Sequence, residues 1–356
     1  MFLSASSTLS RKRGQIVAID IGTRTSKAVW LQKKDAGFEL THYAVQDAPI
    51  SEKSPSVELL AEHLKQLTQT GGGRTKHVSV AIGVNDAMLR TAELPQMSTS
   101  EMRQVLKYNS KAYFQQDFPD YSFDCHLLAS SPDKSQAEAA KLPVKLRTLV
   151  AGIKRPLLEG IQSAVKSCGL IPDLVTLNPI GAVNAFELAQ PQEFAQGPVA
   201  LVDIGFKTST ITLILNGELS LSRVVSIGGD RLTTGLSESM NISYPEAEGI
   251  KIGMPDEVQS AILPLLMPLG RELRASIDFF EHQQDRAVTQ VYISGGTARS
   301  AFIVEALQSE MMVPCQIWNP LAPIQIGITD VQALEALQLT VPLLGAAVGA
   351  AIAGLS

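Results

Sequence analysis

Two short stretches of this chain place an acidic side chain beside a glycine turn, a combination suited to holding a metal-bound phosphate chain. Residues 16–31 read IVAIDIGTRTSKAVWL, and residues 199–214 read VALVDIGFKTSTITLI. Aligned at Asp20 and Asp203, both have an apolar run, D-I-G, two variable residues, T-S and a second apolar run. Each aspartate can hold Mg²⁺ or its waters, and each glycine lets backbone N–H groups approach phosphate oxygens. Acid-glycine turns also close many hairpins, so a duplicated sheet without a ligand is the alternative.

The elements that must position these turns are β-strands. In both copies the turn joins two apolar runs and a further strand follows, which predicts a meander of strands in each half. After the second copy, Asn216-Gly217 is a strong type I′ hairpin signal. In the first copy a longer polar loop leads into residues 38–45. Two such units in separate halves predict a duplicated α/β domain with a cleft between the copies.

The composition is that of a globular protein. The chain has 356 residues, with 45% hydrophobic and 18% charged residues, a length that suggests about two domains. The net charge is −5 and no basic stripe is visible, which argues against general nucleic-acid binding. The cysteines Cys125, Cys168 and Cys315 are far apart in the sequence. We therefore predict buried thiols rather than structural zinc or a disulfide framework.

The two ends of the chain differ in character. Residues 1–10 are mostly small and polar, Arg11-Lys12-Arg13 come after them, and the apolar run of seven or more residues that a secretory signal needs is missing. This order predicts a disordered tail rather than a secretory signal. Residues 341–355 read VPLLGAAVGAAIAGL, but this apolar run is shorter than the roughly 20 residues that a membrane-spanning helix needs. We predict a buried helix that closes the first domain.

Between the two copies the pattern becomes that of a small inserted α/β unit. Residues 98–116 read as a helix capped by Ser98 or Thr99, with Glu101 in its first turn. Strand-like runs follow in the same segment. We predict a first domain at 15–77 and 151–197, closed by 341–355, an inserted subdomain at 78–150, and a second domain at 198–340.

The second half contains further residues that could contact a nucleoside. Two pairs of glycines each follow an apolar strand-like run and precede a helical pattern, so bare backbone could lie against a ribose or a flat ring. Two charged residues lie three apart on a predicted helix and share a face. A surface ion pair or ordinary turn chemistry would explain the same features. The residues are Gly228, Gly229, Glu248, Lys251, Arg274, Gly295, Gly296 and Thr297.

Together and in this order, the motifs resemble the ATPase superfamily of actin, the heat-shock chaperones and the sugar kinases over nearly the whole chain. The resemblance implies an actin-like fold with ATP and Mg²⁺ bound between two duplicated halves. It implies metal binding by Asp20 and Asp203, with Asp203 catalytic, and places Glu248, Lys251 and Arg274 beside the ribose and adenine. The phosphate-binding residues it implies are Asp20, Gly22, Thr23, Arg24, Thr25, Lys27, Asp203, Gly205, Lys207 and Thr208.

Within that superfamily, the chain resembles the PilM family of type IV pilus assembly. The similar stretches are residues 98–128, 225–251, 271–280 and 342–351. Members of this family have an FtsA-like fold with an inserted 1C subdomain, bind ATP and dock the short cytoplasmic tail of the membrane protein PilN. The resemblance implies a cytoplasmic scaffold that lies at the inner membrane through a PilN-like partner.

Three departures from the superfamily pattern concern the chemistry. Asn178 stands where relatives often carry an acidic residue, and an amide cannot act as a general base. Arg24 and Lys207 occupy equivalent positions of the two copies, where many relatives have smaller residues. Pseudo-symmetry predicts that these two cations converge on the phosphate chain from opposite walls. Phe206 is bulky beside the second turn. We predict nucleotide binding with slow or absent hydrolysis.

Other classes of protein in the superfamily provide alternatives. A small-molecule kinase would need a substrate-side carboxylate base, and none is evident. A chaperone would need a large substrate-binding region after the ATPase. An FtsA-like cell-division protein would usually add a linker and a membrane-targeting amphipathic helix. A degenerate scaffold that binds no nucleotide is the fourth alternative, as in the actin-like part of secretion-system proteins.

Overall fold

The computed structural model describes residues 14–49, 55–71, 75–85, 87–128, 145–253 and 258–356. The strands in these residues are β1 (Gln15–Ile21), β2 (Thr25–Lys34), β3 (Gly37–Asp47), β4 (His77–Ile82), β5 (Ala87–Pro95), β6 (Tyr121–Leu127), β7 (Lys145–Lys154), β8 (Ile171–Leu177), β9 (Pro198–Ile204), β10 (Ser209–Leu215), β11 (Glu218–Val225), β12 (Gln290–Ser294), β13 (Cys315–Ile317) and β14 (Gln325–Ile326).

The α-helices in the same residues are α1 (Val57–Gln69), α2 (Thr99–Phe114), α3 (Arg155–Ser167), α4 (Asn178–Ala189), α5 (Pro191–Gln196), α6 (Gly229–Met240), α7 (Tyr244–Gly253), α8 (Gln259–Gln284), α9 (Ala301–Met311), α10 (Val331–Thr340) and α11 (Gly345–Leu355). The predicted tail at 1–14 lies, apart from Gly14, outside the described residues.

The first sheet is covered by helices on both faces. Its strand order is β14-β3-β2-β1-β4-β8, in which β1, β2 and β3 form an antiparallel meander and β4 and β8 add in parallel. Ser26 of β2 contacts His63 of α1, whereas Ile16 of β1 faces α11 at Gly354. Successive side chains of a strand point to opposite faces, so both faces of β1 are buried. This burial explains the continuous apolar run before Asp20.

The second sheet repeats the meander and confirms the predicted hairpin. Its order is β11-β10-β9-β12-β13, with β9, β10 and β11 antiparallel and β12 parallel to β9. Asn216 and Gly217 have φ angles of 51° and 78° between β10 and β11, so both central residues adopt the positive φ of a type I′ turn. Helices α8 and α9 pack against each other beside this sheet. Strand β9 ends one residue after Asp203, as β1 ends one residue after Asp20 in the first sheet.

The inserted unit is a three-stranded sheet, β5-β7-β6, with α2 packed on it. Ser98 caps α2, and Glu101 reaches back to the Ser98 backbone, which confirms the predicted helix start. The predicted boundary at residue 78 is too early, because residues 78–82 belong to β4 and pair in parallel with β1. The insertion begins after β4. Residues 129–144 of the predicted segment lie outside the described ones.

The C-terminal end of the chain packs on the first sheet. Helix α11 is buried against α4 and β1, so the predicted closing helix is confirmed. The predicted second-domain boundary at 340 is too late, because β14 pairs with β3 and Trp318, Leu321 and Leu337 join the core of the first half. An edge strand and a helix added after the second sheet therefore return the chain to the first.

The two halves share an apolar contact at the base of the cleft. Phe186 of α4, in the first half, packs edge-to-face on Tyr292 of β12 with ring centroids 4.7 Å apart. Trp318 also packs edge-to-face on Phe186, with ring centroids 5.4 Å apart. Val199 and Leu201 of β9 belong to the same buried cluster as β1. Packing at this point joins β9 of the second half to the core of the first half.

A buried histidine lies under the first turn. His63 Nε2 is 2.8 Å from Ser26 Oγ, and both side chains are buried. Burial lowers the pKa of His63 from its usual 6.5, so the folded chain favours the neutral ring. Below about pH 6.5, His63 of the unfolded chain binds a proton that the folded chain disfavours. The free energy of unfolding therefore falls as the pH falls.

We expect His63→Gln to flatten this acid dependence. Denaturant unfolding midpoints measured from about pH 7 to about pH 5 should fall less steeply in the variant than in the wild type, because one proton-linked cost is gone. His282, an exposed histidine at the end of α8, provides the matched control His282→Gln. Equal slopes in His63→Gln and wild type would contradict the assignment of this proton to His63.

In the part of the chain that the structure describes, no single helix is long and apolar enough to span a membrane. The segments Val331–Leu343 and Gly345–Leu355 meet the length and apolarity test only as a pair, and they are bent by 89°.

Candidate functional site

The first turn places a cation opposite its aspartate. Asp20 and Lys27 are direct partners across the β1–β2 hairpin, and Lys27 Nζ lies 3.1 Å from Asp20 Oδ2. The other carboxylate oxygen accepts a hydrogen bond from Asn178 Nδ2 at 2.9 Å. Asp20 is only 3% exposed. Strand pairing and the start of α4 thus hold this carboxylate in one orientation.

The second turn has the same backbone but a different partner. Asp203 faces Thr210 across the β9–β10 hairpin, at the position that Lys27 occupies in the first copy. Ser294, at the end of the neighbouring strand β12, donates a hydrogen bond to Asp203 Oδ1 at 3.1 Å. The second hairpin therefore presents a carboxylate without its own lysine. Ser294 was not among the predicted site residues.

The charges of the first turn act on the carboxylate of the second. Burial raises the pKa of Asp203; the Asp20 carboxylate also raises this pKa, whereas Lys27 and the Ser294 hydrogen bond lower it. The charges of Lys27 and Asp20, in the first half, therefore act on Asp203 in the second half. A carboxylate with a raised pKa is destabilised in its charged form, and a bound cation stabilises that form.

Glycine is required at both turns because the backbone folds back closely. A Cβ on Gly22 would lie 2.5 Å from the Thr25 carbonyl oxygen, and a Cβ on Gly205 would lie 2.7 Å from that of Thr208. Gly205 N–H donates to the Thr208 carbonyl at 3.1 Å. Thr23 is exposed at the tip of the first turn. The two turns form similar open loops, as the repeat predicts.

The glycine pairs of the second half meet beside the second turn. Gly229 N–H donates to the Gly205 carbonyl at 2.9 Å, and a Cβ on Gly228 would meet the carbonyl oxygens of Phe206 and Gly205. Gly295 has a φ of 97°, a left-handed conformation that favours glycine. A Cβ on Gly229 would lie 2.6 Å from Thr297 Oγ1. Gly228, Gly229 and Gly295 are thus buried in close contact with the backbone of the second turn, and we call these three residues together with Gly205 the glycine strip.

Glu248 and Lys251 of α7 lie at the same strip, and their place beside a ribose or adenine stays a prediction. Lys251 Nζ lies 2.7 Å from Glu248 Oε2, 2.7 Å from Thr233 Oγ1 and 3.4 Å from the Gly229 carbonyl. Thr233 also donates to Glu248. Lys251 is only 7% exposed. Sequence reasoning missed Thr233, which follows Gly229 by one turn of α6 and therefore lies on the same face.

The structure separates Arg274 from this strip, contrary to the prediction. Its guanidinium donates to the Met311 carbonyl at 2.9 Å and pairs with Asp278 and Glu281. Met311 ends α9, whereas Gly295-Gly296 precede its start, so the two points are about 15 Å apart along the helix. Carbonyl groups at a helix C-terminus attract cations. Arg274 is therefore a structural residue that ties α8 to α9.

The first and second turns also touch through side chains. The Arg24 guanidinium lies over the Phe206 ring, 5.7 Å from its centroid, and Lys207 Nζ lies 5.2 Å from the same centroid. Lys207 also pairs with Asp230 at 2.7 Å. Arg24 from the first half and Lys207 from the second therefore both lie at the Phe206 ring, and their convergence on a phosphate chain stays a prediction.

The donor set fits a hydrated magnesium ion. Among the described residues there is no group of three or more His, Cys, Asp or Glu side chains that could enclose a metal. Mg²⁺ usually keeps several waters and binds one or two carboxylates together with phosphates. Asn178 Oδ1 is buried without a hydrogen-bond partner in the described structure. A buried acceptor of this kind suits a water molecule of the ion. Asn178 was noted in the sequence but not as a site residue.

Comparisons with known proteins agree with this architecture. A sequence profile of the family described as type IV pilus assembly protein PilM matches residues 18–354. Cell division protein FtsA of Bacillus subtilis (strain 168) is 33% identical over 104 residues, which are 29% of this chain and 23% of that protein. Ethanolamine utilization protein EutJ of Escherichia coli (strain K12) is 27% identical over 110 residues, 31% of this chain and 37% of that protein. The chain thus matches well under half the length of these curated relatives.

Two solved structures show the same fold. A chain of the PilM-PilN type IV pilus biogenesis complex has a TM-score of 0.81 at 22% identity, covering 97% of this chain and 100% of its own. EutJ from Carboxydothermus hydrogenoformans has a TM-score of 0.54 at 15% identity, covering 96% of this chain and 90% of its own. The predicted actin-like α/β fold is confirmed. Because the profile match covers nearly the whole chain, the protein belongs to the PilM family of actin-like type IV pilus assembly proteins.

Proposed function

We propose that this chain is a cytoplasmic scaffold of pilus assembly that binds Mg-ATP in its cleft and docks the cytoplasmic tail of a PilN-like inner-membrane protein. The observation that carries the nucleotide half is that Asp20 and Asp203 stand at equivalent places before two glycine turns, and that these turns approach each other through Arg24 and Phe206, whose guanidinium carbon and ring centroid are 5.7 Å apart. The docking half is supported by the likeness to a solved PilM-PilN complex and by a groove at the inserted unit.

In this proposal each residue group has a separate task. The two turns bind the phosphate chain through the backbone of Gly22 and Gly205, and Asp20 and Asp203 hold Mg²⁺ mainly through its waters. When bound, the ion neutralises phosphate charge. Lys27, already 3.1 Å from Asp20, can exchange that contact for a phosphate oxygen. The glycine strip and the Glu248–Lys251 pair lie where the nucleoside would bind.

A scaffold without nucleotide is the alternative that a specific observation favours. Lys27 pairs with Asp20 and Lys251 pairs with Glu248, so the site satisfies part of its own charge. Isothermal titration of the purified chain with Mg-ATP separates the two possibilities. Saturable binding supports the proposal, and an absence of binding in a folded preparation would leave only the scaffold.

We expect hydrolysis to be slow or absent. Asn178 donates to Asp20 at 2.9 Å in the position where a base would be needed, and an amide cannot accept a proton from water at neutral pH. The measurement is phosphate release from purified protein, with Asp203→Ala prepared identically to report contaminating ATPases. Turnover of several ATP per second above that background would contradict the prediction. ATP would then act on conformation only through its preference for one state of the cleft.

The proposed docking groove lies between the inserted unit and the first half. It is lined by Arg103, Gln104 and Lys107 of α2, by Tyr121, Ser122 and Phe123 of β6, and by Arg155 of α3, and its volume is about 250 Å³. Arg155 belongs to a helix of the first half, and its N–H donates to the Asp120 carbonyl at 2.7 Å. Three cations and two aromatic rings therefore surround one opening at the junction.

Strand β6 makes this groove suitable for an extended peptide. It is an edge of the three-stranded sheet, so its outer backbone groups can pair with an added strand. Aromatic walls offer pockets for apolar side chains, and the cations favour acidic ones. A tail that is disordered when free loses entropy on docking, so an affinity on the order of micromolar is expected.

A further inference from the structure

Arg24 and Phe206 form the side-chain contact between the two turns described above. The guanidinium carbon lies 5.7 Å from the ring centroid, within the range of a cation–π interaction. Arg24 belongs to the β1–β2 turn and Phe206 to the β9–β10 turn, so the contact spans the cleft at its phosphate end. It is the kind of contact that an entering phosphate chain would have to displace.

The backbones on both sides of this contact are anchored, which leaves the side chains as the parts that move. The Arg24 carbonyl accepts a hydrogen bond from Ala48 N–H at 2.9 Å, and the Phe206 carbonyl accepts one from Asp230 N–H at 2.9 Å. Among the residues that the structure describes, no carboxylate pairs with Arg24, whereas Lys207 is held by Asp230 at 2.7 Å. Arg24 can therefore leave the Phe206 ring at a lower cost in free energy than Lys207 can.

We propose that Arg24 and Phe206 form a latch across the mouth of the phosphate site, and that Arg24 releases Phe206 by moving onto the terminal phosphate of a nucleoside triphosphate. This inference rests on the proposed nucleotide binding in the cleft. Charge-assisted, bidentate hydrogen bonds from a guanidinium to a phosphate are stronger than a partly exposed cation–π contact. A triphosphate therefore opens the latch.

The latch makes Arg24 a residue that distinguishes nucleotides. A diphosphate lacks the terminal phosphate, so Arg24 stays on Phe206. Arg24 then adds nothing to the affinity for the diphosphate. A triphosphate draws Arg24 toward itself and joins the two turns through the ligand instead of through the ring. The two halves are therefore linked with and without a triphosphate. Without it the link is the Arg24–Phe206 contact, and with it the link is the ligand.

The first arm of the test needs no nucleotide. Amide hydrogen exchange of residues 22–25 and 205–208 should become roughly two- to fivefold faster in Arg24→Gln and in Phe206→Leu, the size expected for one partly exposed cation–π contact. The double variant should exchange no faster than the faster single variant, because both remove the same contact. Arg90, whose guanidinium lies 5.6 Å from the Phe118 ring inside the inserted unit, gives the matched control Arg90→Gln.

The second arm measures association and dissociation of fluorescent ATP and ADP by stopped flow. Phe206→Leu keeps Arg24 for the phosphate, so we expect faster association of ATP with unchanged dissociation. Arg24→Gln should speed dissociation of ATP more than that of ADP. Additive exchange effects in the double variant, or equal effects of Arg24→Gln on ATP and ADP, would overturn the latch. If the wild type binds no nucleotide, the proposed function fails, and the exchange arm still decides whether the two side chains are coupled.

Discussion

Asp203→Ala is expected to abolish the magnesium-dependent part of the affinity for ATP. Asp203 is held by Ser294 at 3.1 Å and has no lysine opposite it in its own hairpin, so its charge is directed at the cleft. Burial and the charge of Asp20 raise the pKa of Asp203. A bound cation therefore stabilises this carboxylate more than it would stabilise an isolated one. Isothermal titration with and without Mg²⁺ should give equal, weak affinities in the variant.

Two further variants make this measurement specific. Asp35→Ala removes an exposed aspartate from the loop between β2 and β3 and should leave the magnesium dependence intact. Asp203→Asn retains the size of the side chain and an oxygen for Ser294, yet it should lose the magnesium effect as fully as alanine does. Without nucleotide, Asp203→Asn should melt at a higher temperature than the wild type, because a carboxylate with a raised pKa destabilises the fold while it is charged. Wild-type ATP affinity in either Asp203 variant would refute the assignment of Mg²⁺ to this carboxylate.

The local parts of the fold could be predicted because they depend on neighbouring residues. The type I′ turn at Asn216-Gly217 follows from the positive φ that both residues tolerate, and the start of α2 follows from the reciprocal bonds of Ser98 and Glu101. The two D-I-G turns could be aligned because each needs a glycine where the chain folds back. Their similarity in sequence therefore carried over into similar backbones.

The parts that could not be predicted depend on which distant elements pack together. Arg274 lies on a helix of the predicted kind, but the helix turns it toward the Met311 carbonyl rather than toward the glycine strip. The sequence does not indicate that β14 pairs with β3 and returns the chain to the first sheet. Ser294 could have been found from strand pairing, since it is the direct partner of Asp203 in parallel strands. The Arg24–Phe206 contact required both halves to be in place.

Reversing charge in the proposed docking groove is expected to abolish capture of the partner tail without affecting ATP. Lys107 and Arg155 line the groove from α2 and α3, on the two sides of the junction. The double variant Lys107→Glu/Arg155→Glu should weaken binding of a synthetic peptide with the host's PilN-like cytoplasmic tail sequence by more than tenfold, because two like charges replace two attractions. Fluorescence anisotropy of the labelled peptide measures this directly. Lys145→Glu, an exposed site on β7 of the same subdomain, is the matched control.

Point variants are the sharper test because the inserted unit is not packed independently of the first half. Met88, Leu94 and Phe123 belong to the unit's own core, but Leu149 and Ile153 of β7 join the core of the first sheet. Deleting the whole insertion would therefore expose apolar surface and disturb the proposed ATP site. If the double variant loses the peptide and pilus inner-membrane components in pull-downs while retaining ATP affinity, nucleotide binding and docking use separate surfaces. If it captures the tail as well as Lys145→Glu does, the groove is elsewhere, and the cations at this junction serve the fold alone.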